Sequence, residues 1–214
     1  MKKISLAILV SLLTLVGGCA VKNPVTNQYK LAAFSRQSYQ HQPHSAVSLL
    51  ISQPEAVGGY QTEQMYYVKT PFELNAFVHN AWVSTPASML FPLLVQSLQQ
   101  TNYFYAVATT PYADKADYRL DTQLIELQQE FLTKPSKLQF VAKIVLTHID
   151  DARVVASHII RLSIPCPKDA PYGGVVAANQ ATYQFTKITT EFVIRNIQRD
   201  FVKHRAATIA KITK

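Results

Sequence analysis

The stretch LQFVAKIVLTHIDDARVVASHIIRLSI, residues 138–164, carries the strongest fold signal of this 214-residue chain. Apolar residues occupy every second position over residues 138–146 and most of the alternate positions over 154–164. Because successive side chains of a β-strand point to opposite faces, each half is expected to be a strand with one apolar face. The pair Asp150-Asp151 between the halves predicts a turn, which makes them the arms of an antiparallel hairpin. Pro165 and Pro167 end the second arm, since proline cannot donate to a strand ladder.

Further strand patterns precede this hairpin. Over Tyr118–Leu127 the apolar positions alternate and then change parity at Ile125, which predicts a long strand with a β-bulge. Shorter apolar or aromatic runs predict additional strands at Tyr29–Phe34, Val47–Ser52, Met65–Lys69, Leu74–Val78 and Tyr103–Ala108.

Two segments have the periodicity of helices. Thr85 can cap a helix that starts at Pro86, and leucines at 90, 94 and 98 repeat at i, i+4, so a helix is expected over 86–100, bent near Pro92. A stripe through Ala178, Phe185 and Phe192 predicts a long closing helix over 173–204. We therefore expect one α+β domain over residues 46–204, with a mixed or antiparallel sheet, a central helix and a long C-terminal helix packed on one face. Residues 205–214 are expected to be a basic tail.

The N-terminal residues resemble the export signal of a bacterial lipoprotein. A positive Met1-Lys2-Lys3 start is followed by 13 mostly apolar residues, Ile4–Val16, which are too few to span a bilayer. Val16-Gly17-Gly18-Cys19 then resembles a lipobox. That resemblance implies a signal peptide over 1–18, cleavage between Gly18 and Cys19, and a diacylglycerol group and an N-acyl chain (palmitate among them) on Cys19. Residues 19–45 are expected to be a lipid-anchored tether.

The residue after Cys19 is Ala20 rather than the aspartate that commonly retains lipoproteins at the inner membrane. The lipobox resemblance therefore implies the outer membrane, on its periplasmic face. Lipidation of Cys19 leaves Cys166 as the one thiol of the mature chain, so no intrachain disulfide is expected. Cys166 is interpreted as a packed, inert thiol, with a reactive or intermolecular role as the alternative.

No motif of catalysis is present in the sequence. There is no Gly-rich phosphate loop, no Gly-x-Ser-x-Gly elbow, no His-Glu-x-x-His and no Cys-x-x-Cys. The spacing His41-x-x-His44 is a weak metal signal, and His148 and His158 are expected to lie several residue pairs apart on the hairpin. We therefore predict a protein that is not an enzyme and has no metal and no cofactor besides the acyl chains on Cys19.

Positive charge is concentrated at the C-terminal end of a chain whose formal net charge is +8. Six cations lie there against Asp200 alone: Arg195, Arg199, Lys203, Arg205, Lys211 and Lys214. They are either a solvated helix end that the helix dipole favours, or a patch for anionic headgroups or an acidic partner. The single tryptophan, Trp82, is either a core residue or a partner contact. Nucleic acid is not expected as a partner of an exported chain.

The order of these motifs resembles the ABC-type transport auxiliary lipoproteins, which accompany MCE-type intermembrane lipid transport systems, including the paraquat-inducible kind. The resemblance covers roughly residues 46–200, and Pro92 inside the central helix departs from it. It rests on the lipobox at Cys19, MYYV at 65–68, LNAFVHNAW at 74–82, the helix over Pro86–Gln99, ADYRL at 116–120, and alanines at 177, 178 and 181.

The resemblance implies a non-catalytic outer-membrane lipoprotein that is an adaptor for a periplasmic MCE-domain protein. An inner-membrane permease and an ATPase on other chains would be indirect partners, and phospholipid a further one. Two alternatives remain open in the sequence. One is a structural or envelope-assembly lipoprotein with no transport role, and the other is a lipid-binding periplasmic carrier with its own pocket.

Overall fold

A computed structural model describes residues 27–39, 46–110 and 115–212, with side chains described as far as Lys203. Within these ranges the chain forms one mixed sheet of nine strands and two α-helices, which confirms the α+β prediction. The strands are β1 (Asn27–Tyr29), β2 (Ser48–Ile51), β3 (Glu55–Ala56), β4 (Gln64–Val68), β5 (Asn75–Trp82), β6 (Ala106–Thr109), β7 (Tyr118–Glu130), β8 (Lys137–His148) and β9 (Arg153–Pro165). The helices are α1 (Pro86–Gln99) and α2 (Pro171–Ile212).

Strand β7 is the axis of the sheet. On one side it pairs antiparallel with β8, which pairs antiparallel with β9. On its other side three short strands follow one another along it, β2, β3 and β4, and each is parallel to it. The sheet continues outward from β2 to a parallel β6, and from β4 through an antiparallel β5 to a parallel β1.

The predicted hairpin and bulge are both confirmed. In β8 and β9 Leu138 pairs with Ile164 and Ile144 pairs with His158, which is the register that a turn at 150–151 requires. The β7–β8 register shifts between Leu124 and Glu126, so the extra residue is Ile125, where the apolar pattern changes parity. The bulge keeps Leu124 and Leu127 on the same buried face although an odd number of steps separates them.

Both helices cover one face of the sheet. The alternate residues of β7 and β8 that point to this face are fully buried, and the ring of Phe140 packs 5.1 Å from the ring of Phe185 on α2. Each buried leucine, isoleucine or phenylalanine among them stabilises the fold by roughly 1.5–3 kcal/mol. The opposite face carries exposed polar residues, among them Arg119, Gln123 and Lys143.

Helix α1 begins as predicted. Thr85 is its N-cap, and the Thr85 hydroxyl accepts a hydrogen bond from the Ser88 amide at 3.4 Å. The helix continues through Pro92, which lies on its exposed side, and the Gln96 side-chain amide donates to the Pro92 carbonyl at 3.1 Å.

Helix α2 is longer than predicted. It begins at Pro171 and continues to Ile212, so residues 205–212, predicted to be a tail, are helical. It runs antiparallel to β7: the Cα of Gly174 faces Gln129 near one end of that strand, and Asp200 binds Tyr118 at the other. Twenty-six helical residues cover roughly 39 Å and eleven strand residues roughly 36 Å, so the two elements match in length.

The N-terminal part of the domain differs from the prediction. The strand expected at Tyr29–Phe34 is only Asn27–Tyr29, and the strand expected from Tyr103 begins at Ala106. Residues 30–39, predicted to be part of the tether, instead form a strap along α2. The Asn179 side chain accepts hydrogen bonds from the Ala32 and Ala33 amides at 2.8 and 3.2 Å, and the Thr186 hydroxyl accepts one from the Ser35 amide at 2.9 Å. The packed domain therefore begins before the predicted boundary at residue 46.

Candidate functional site

The two ends of β7 differ, and we name them by what lies there. The helix end is where β7 begins at Tyr118, beside the β8–β9 turn and the later turns of α2. The turn end is where β7 finishes at Glu130, beside the β4–β5 turn over 69–74 and the β7–β8 connection over 131–136. Each end carries one exposed surface that the fold does not use for its own packing.

At the helix end the predicted basic patch forms a stripe on α2. Arg195, Arg199 and Lys203 are exposed at successive i, i+4 positions, and this set is the basic stripe. With Gln198 and Val202 they line a shallow depression of about 630 Å³, and Val202 is 70% exposed. Among the residues that the structure describes, none of these three cations is in an ion pair with a carboxylate.

The one acid of this segment is directed inward. Asp200 is 5% exposed and accepts two hydrogen bonds from the Arg153 guanidinium, at 2.9 and 3.1 Å. It also accepts one from the Tyr118 hydroxyl at 2.9 Å, and burial together with this bond raises the pKa of Tyr118. Because the Asp200 carboxylate is engaged on the sheet side of the helix, it forms no ion pair with the three cations of the basic stripe.

The β8–β9 turn extends this network. The Asp151 carboxylate contacts His148 Nδ1 at 2.8 Å and accepts from Arg153 Nε at 3.1 Å. The hydrogen bond with His148, followed by those with Arg153, lowers the pKa of Asp151 to about 2. His158 instead stacks on Phe192 with ring centroids 6.0 Å apart, so the two hairpin histidines lie apart as predicted. In the described ranges no group of three metal-ligating side chains is close enough to hold an ion.

At the turn end the β4–β5 connection is a tight turn with an unusual residue in it. The Glu73 amide donates to the Thr70 carbonyl at 3.2 Å, Pro71 is the second residue, and Phe72 is the third, with φ at 68°. These are the features of a type II turn, whose third position favours glycine or asparagine. A phenylalanine there costs roughly 1–3 kcal/mol of backbone strain. The ring of Phe72 gains no packing in return, because the residue is 108% exposed.

Other apolar side chains lie around Phe72. Leu74 and Leu132 are 42% and 44% exposed, and together with Phe72 and Tyr60 they line an open depression of about 390 Å³. Nearby, the half-buried rings of Tyr67, Phe77 and Phe131 form a cluster with centroid separations between 4.5 and 6.4 Å. The Lys69 ammonium lies 5.2 Å from the centre of the Tyr67 ring. Sequence reasoning missed this surface, although an aromatic residue after Thr70-Pro71 in a predicted turn was a visible signal.

The remaining predicted site residues have different outcomes. Trp82 is 3% exposed in the core at the end of β5, which supports the core alternative and not the candidate partner contact. Cys166 is buried as predicted, and burial raises the pKa of its thiol. Gly18, Cys19, His41 and His44 lie outside the described residues, as does the side chain of Arg205. Across the described part of the chain no helix is both long enough and apolar enough to cross a bilayer.

Comparison with known proteins gives a family match and a fold match. The sequence model of the family described as ABC-type transport auxiliary lipoprotein component matches residues 29–187. A Xanthomonas campestris protein assigned to the DUF330 family has a crystal structure similar to this one, with a TM-score of 0.68 at 21% identity. The match covers 83% of this chain and 96% of that one. A second crystal structure, of an uncharacterised protein, is similar with a TM-score of 0.64 at 15% identity, covering 79% and 99%. At these identities the two structures show a shared fold. No curated protein matches the sequence.

Proposed function

Because the chain belongs to the family of ABC-type transport auxiliary lipoproteins, we propose that it is the outer-membrane adaptor of an MCE-associated system that moves lipids between membranes. In this proposal the chain is cleaved between Gly18 and Cys19 and held by acyl chains on Cys19, facing the periplasm. Several acyl chains, each contributing about 0.8 kcal/mol per buried CH₂, hold a protein on a membrane almost permanently. The chain does no chemistry itself, and an ATPase and a permease on other chains supply energy and passage.

The observation that carries this proposal is the extent of the family match. Residues 29–187 include every strand after β1, the strap, α1 and the first 17 residues of α2. The match therefore refers to most of the folded unit rather than to one motif in it. The system that it assists, and the membrane that holds it, are inferred from the motif order and from Ala20 after Cys19.

We place the contact with the periplasmic MCE-domain protein at the basic stripe. Its three cations are exposed, lie on one face of α2 and surround the apolar Val202. Arginine suits such a site because its planar guanidinium binds carboxylates through two parallel hydrogen bonds. The stripe lies beyond residue 187, outside the part that the family model matches, so it suits a contact specific to this chain's own partner.

Cross-linking in intact cells tests the proposal. The full-length chain with a C-terminal tag is cross-linked, the membranes are solubilised mildly, and the partners are identified by mass spectrometry. Enrichment of an MCE-domain protein is expected, with loss or weakening in the Cys19→Ala variant, which lacks the acylated residue. Recovery with outer-membrane proteins alone would contradict the adaptor role and favour an envelope-assembly lipoprotein.

A matched pair of triple variants tests the stripe. The first replaces Arg195, Arg199 and Lys203 by glutamine. The second does the same to three exposed cations elsewhere on the domain, Lys143, Arg161 and Lys187, so the change in net charge is equal. Only the first is expected to lose the cross-linked partner at low ionic strength. Equal losses from both would show that net charge, and not the stripe, governs the association.

A further inference from the structure

We propose that the turn end is a membrane-contact site, in which Phe72, flanked by Leu74 and Leu132, enters the interface of the phospholipid bilayer that holds Cys19. This inference rests on the lipid anchor of the proposed function. It adds the side of the domain that faces the lipid and the residues that touch it.

The path of the chain at β1 points to the turn end. Strand β5 starts at Asn75, beside the β4–β5 turn, and β1 runs parallel to it, so the preceding chain enters β1 from the side of the turn end. Asn27 pairs with Asn80. The neighbour of Asn80, Ala81, pairs with Gln64, three residues along β4 from the Tyr67 that pairs with Asn75, so β1 begins roughly 10 Å from the turn end. The eight residues from Cys19 to Asn27 span at most about 26–29 Å. An anchor at Cys19 therefore reaches past the turn end.

The same length of chain does not allow the helix end to face the membrane. Asn80 lies about level with Glu126 of β7, since its neighbour Ala81 pairs with Gln64, two residues before Tyr66, and Tyr66 pairs with Gln128. From that level to Tyr118 is roughly 25 Å. Helix α2 then continues for twelve residues beyond Asp200, which adds roughly 18 Å. The sum exceeds the reach of the eight residues, so of the two ends of β7 only the turn end can face the membrane that holds Cys19.

The chemistry of the turn end fits a lipid interface. Phe72 is fully exposed in a strained turn position that a smaller polar residue would relax, so the fold itself gains nothing from the ring. Phe72 and Leu74 project from the β4–β5 turn, and Leu132 projects from the β7–β8 connection. These three apolar side chains are available to enter the interface of a bilayer. Lys69 lies beside the Tyr67 and Phe131 rings, the pairing of cation and aromatic that suits the headgroup region. Glu73, the acid of the turn, accepts a hydrogen bond from the Asn75 side-chain amide at 3.1 Å.

Site-specific fluorescence on the acylated full-length chain tests this. An environment-sensitive NBD label is attached to Phe72→Cys, and in a separate preparation to Tyr105→Cys. Tyr105 is the matched control, because it is an aromatic residue that is 81% exposed and lies just before β6 at the helix end. Cys166 is 3% exposed, and the chain without an added cysteine gives the labelling blank. The proteins are reconstituted into vesicles of phosphatidylethanolamine and phosphatidylglycerol.

Two quenchers separate lipid from water. The label at position 72 is expected to be quenched severalfold more by nitroxide-bearing phospholipid than the label at 105, and severalfold less by iodide. Equal quenching at the two positions would overturn the proposal. Shielding of position 72 only after a periplasmic protein is added would also overturn it, in favour of a protein contact. The intact mass of each sample reports acylation of Cys19. An unacylated chain counts against the anchor and with it this inference, whereas an acylated chain with position 72 in water counts against the turn end alone.

Discussion

The two ends of β7 use exposed side chains in opposite ways. At the helix end the Arg153 guanidinium binds the carboxylates of Asp151 and Asp200, and Asp200 also binds the Tyr118 hydroxyl. The two bonds to Asp200 join residues 47 and 82 positions apart in the chain. At the turn end Phe72 lies in a strained conformation and its ring touches nothing that would repay the strain. The side chains at the helix end therefore stabilise the fold, whereas Phe72 at the turn end destabilises it.

Among variants that test this difference, Asp200→Ala is expected to change the free energy of unfolding most. The variant leaves the Arg153 guanidinium and the Tyr118 hydroxyl without their shared acceptor, so it is expected to lower the free energy of unfolding by roughly 2–4 kcal/mol. Urea denaturation followed by circular dichroism measures it. Tyr118→Phe, which removes one of these bonds, is the milder control, at roughly 1 kcal/mol. A loss below that value for Asp200→Ala would mean that the helix end is not stabilised in this way.

Gly173→Ala is expected to have the next largest effect. It tests the close packing at the start of α2, near the turn end. An added Cβ would lie 2.0 Å from the backbone oxygen of Lys168, so the backbone must shift. The expected loss is roughly 1–3 kcal/mol. Gly58→Ala is the matched control, because a Cβ there meets nothing within 4 Å. Equal melting temperatures of the two variants would contradict the close packing of Gly173 against the Lys168 backbone.

Phe72→Asn is expected to change stability in the opposite direction. Asparagine tolerates a positive φ at this turn position, and the lost ring makes no packing contact, so the free energy of unfolding should rise by up to about 1 kcal/mol. Tyr105→Asn removes another exposed ring from a residue without a positive φ, and no gain is expected there. Chemical denaturation of both variants checks the difference. A clear loss at position 72 would show that the ring supports the fold.

The smallest expected effect concerns the dependence of stability on pH. The pKa of Asp151 is lowered to about 2, so its carboxylate contributes stability above the unfolded pKa of roughly 4, and this contribution is lost as the pH falls through the folded value. Asp151→Asn should therefore unfold less steeply with acid below about pH 4 than the parent chain. Urea midpoints measured at neutral pH and near pH 3 test this, with the exposed neighbour variant Asp150→Asn as the control. Identical acid dependence in all three proteins would contradict the role given to His148 and Arg153.

Sequence reasoning succeeded where the determinants were local. The alternation on both sides of Asp150-Asp151 defined the hairpin and its register, the parity change located the bulge at Ile125, and Thr85 with Pro86 located the start of α1. The concentration of positive charge near the C-terminal end was also visible in the sequence, and Arg195, Arg199 and Lys203 are exposed at i, i+4 positions of α2.

What sequence reasoning missed depends on contacts between distant residues. No local sequence pattern indicates that β2, β3 and β4 follow one another along one edge of β7, because parallel pairing joins segments far apart in the chain. The polar composition of residues 30–39 suggested a tether, although Ser35 and its neighbours bind α2 through backbone amides that a composition does not report. The burial of Trp82 and the exposure of Phe72 likewise follow from tertiary packing, so neither could be ranked from residue type.

The strap also has a mechanical consequence. A pull on the N-terminal chain acts first on β1, whose three residue pairs with β5 lie along the direction of the force, so their bonds are loaded together in shear rather than opened one by one. Load that passes β1 meets the strap, where Asn179 and Thr186 hold three backbone amides to α2. A pull from the N-terminal side is therefore shared between β5, on the sheet, and α2, the longest element of the domain, before it reaches β2.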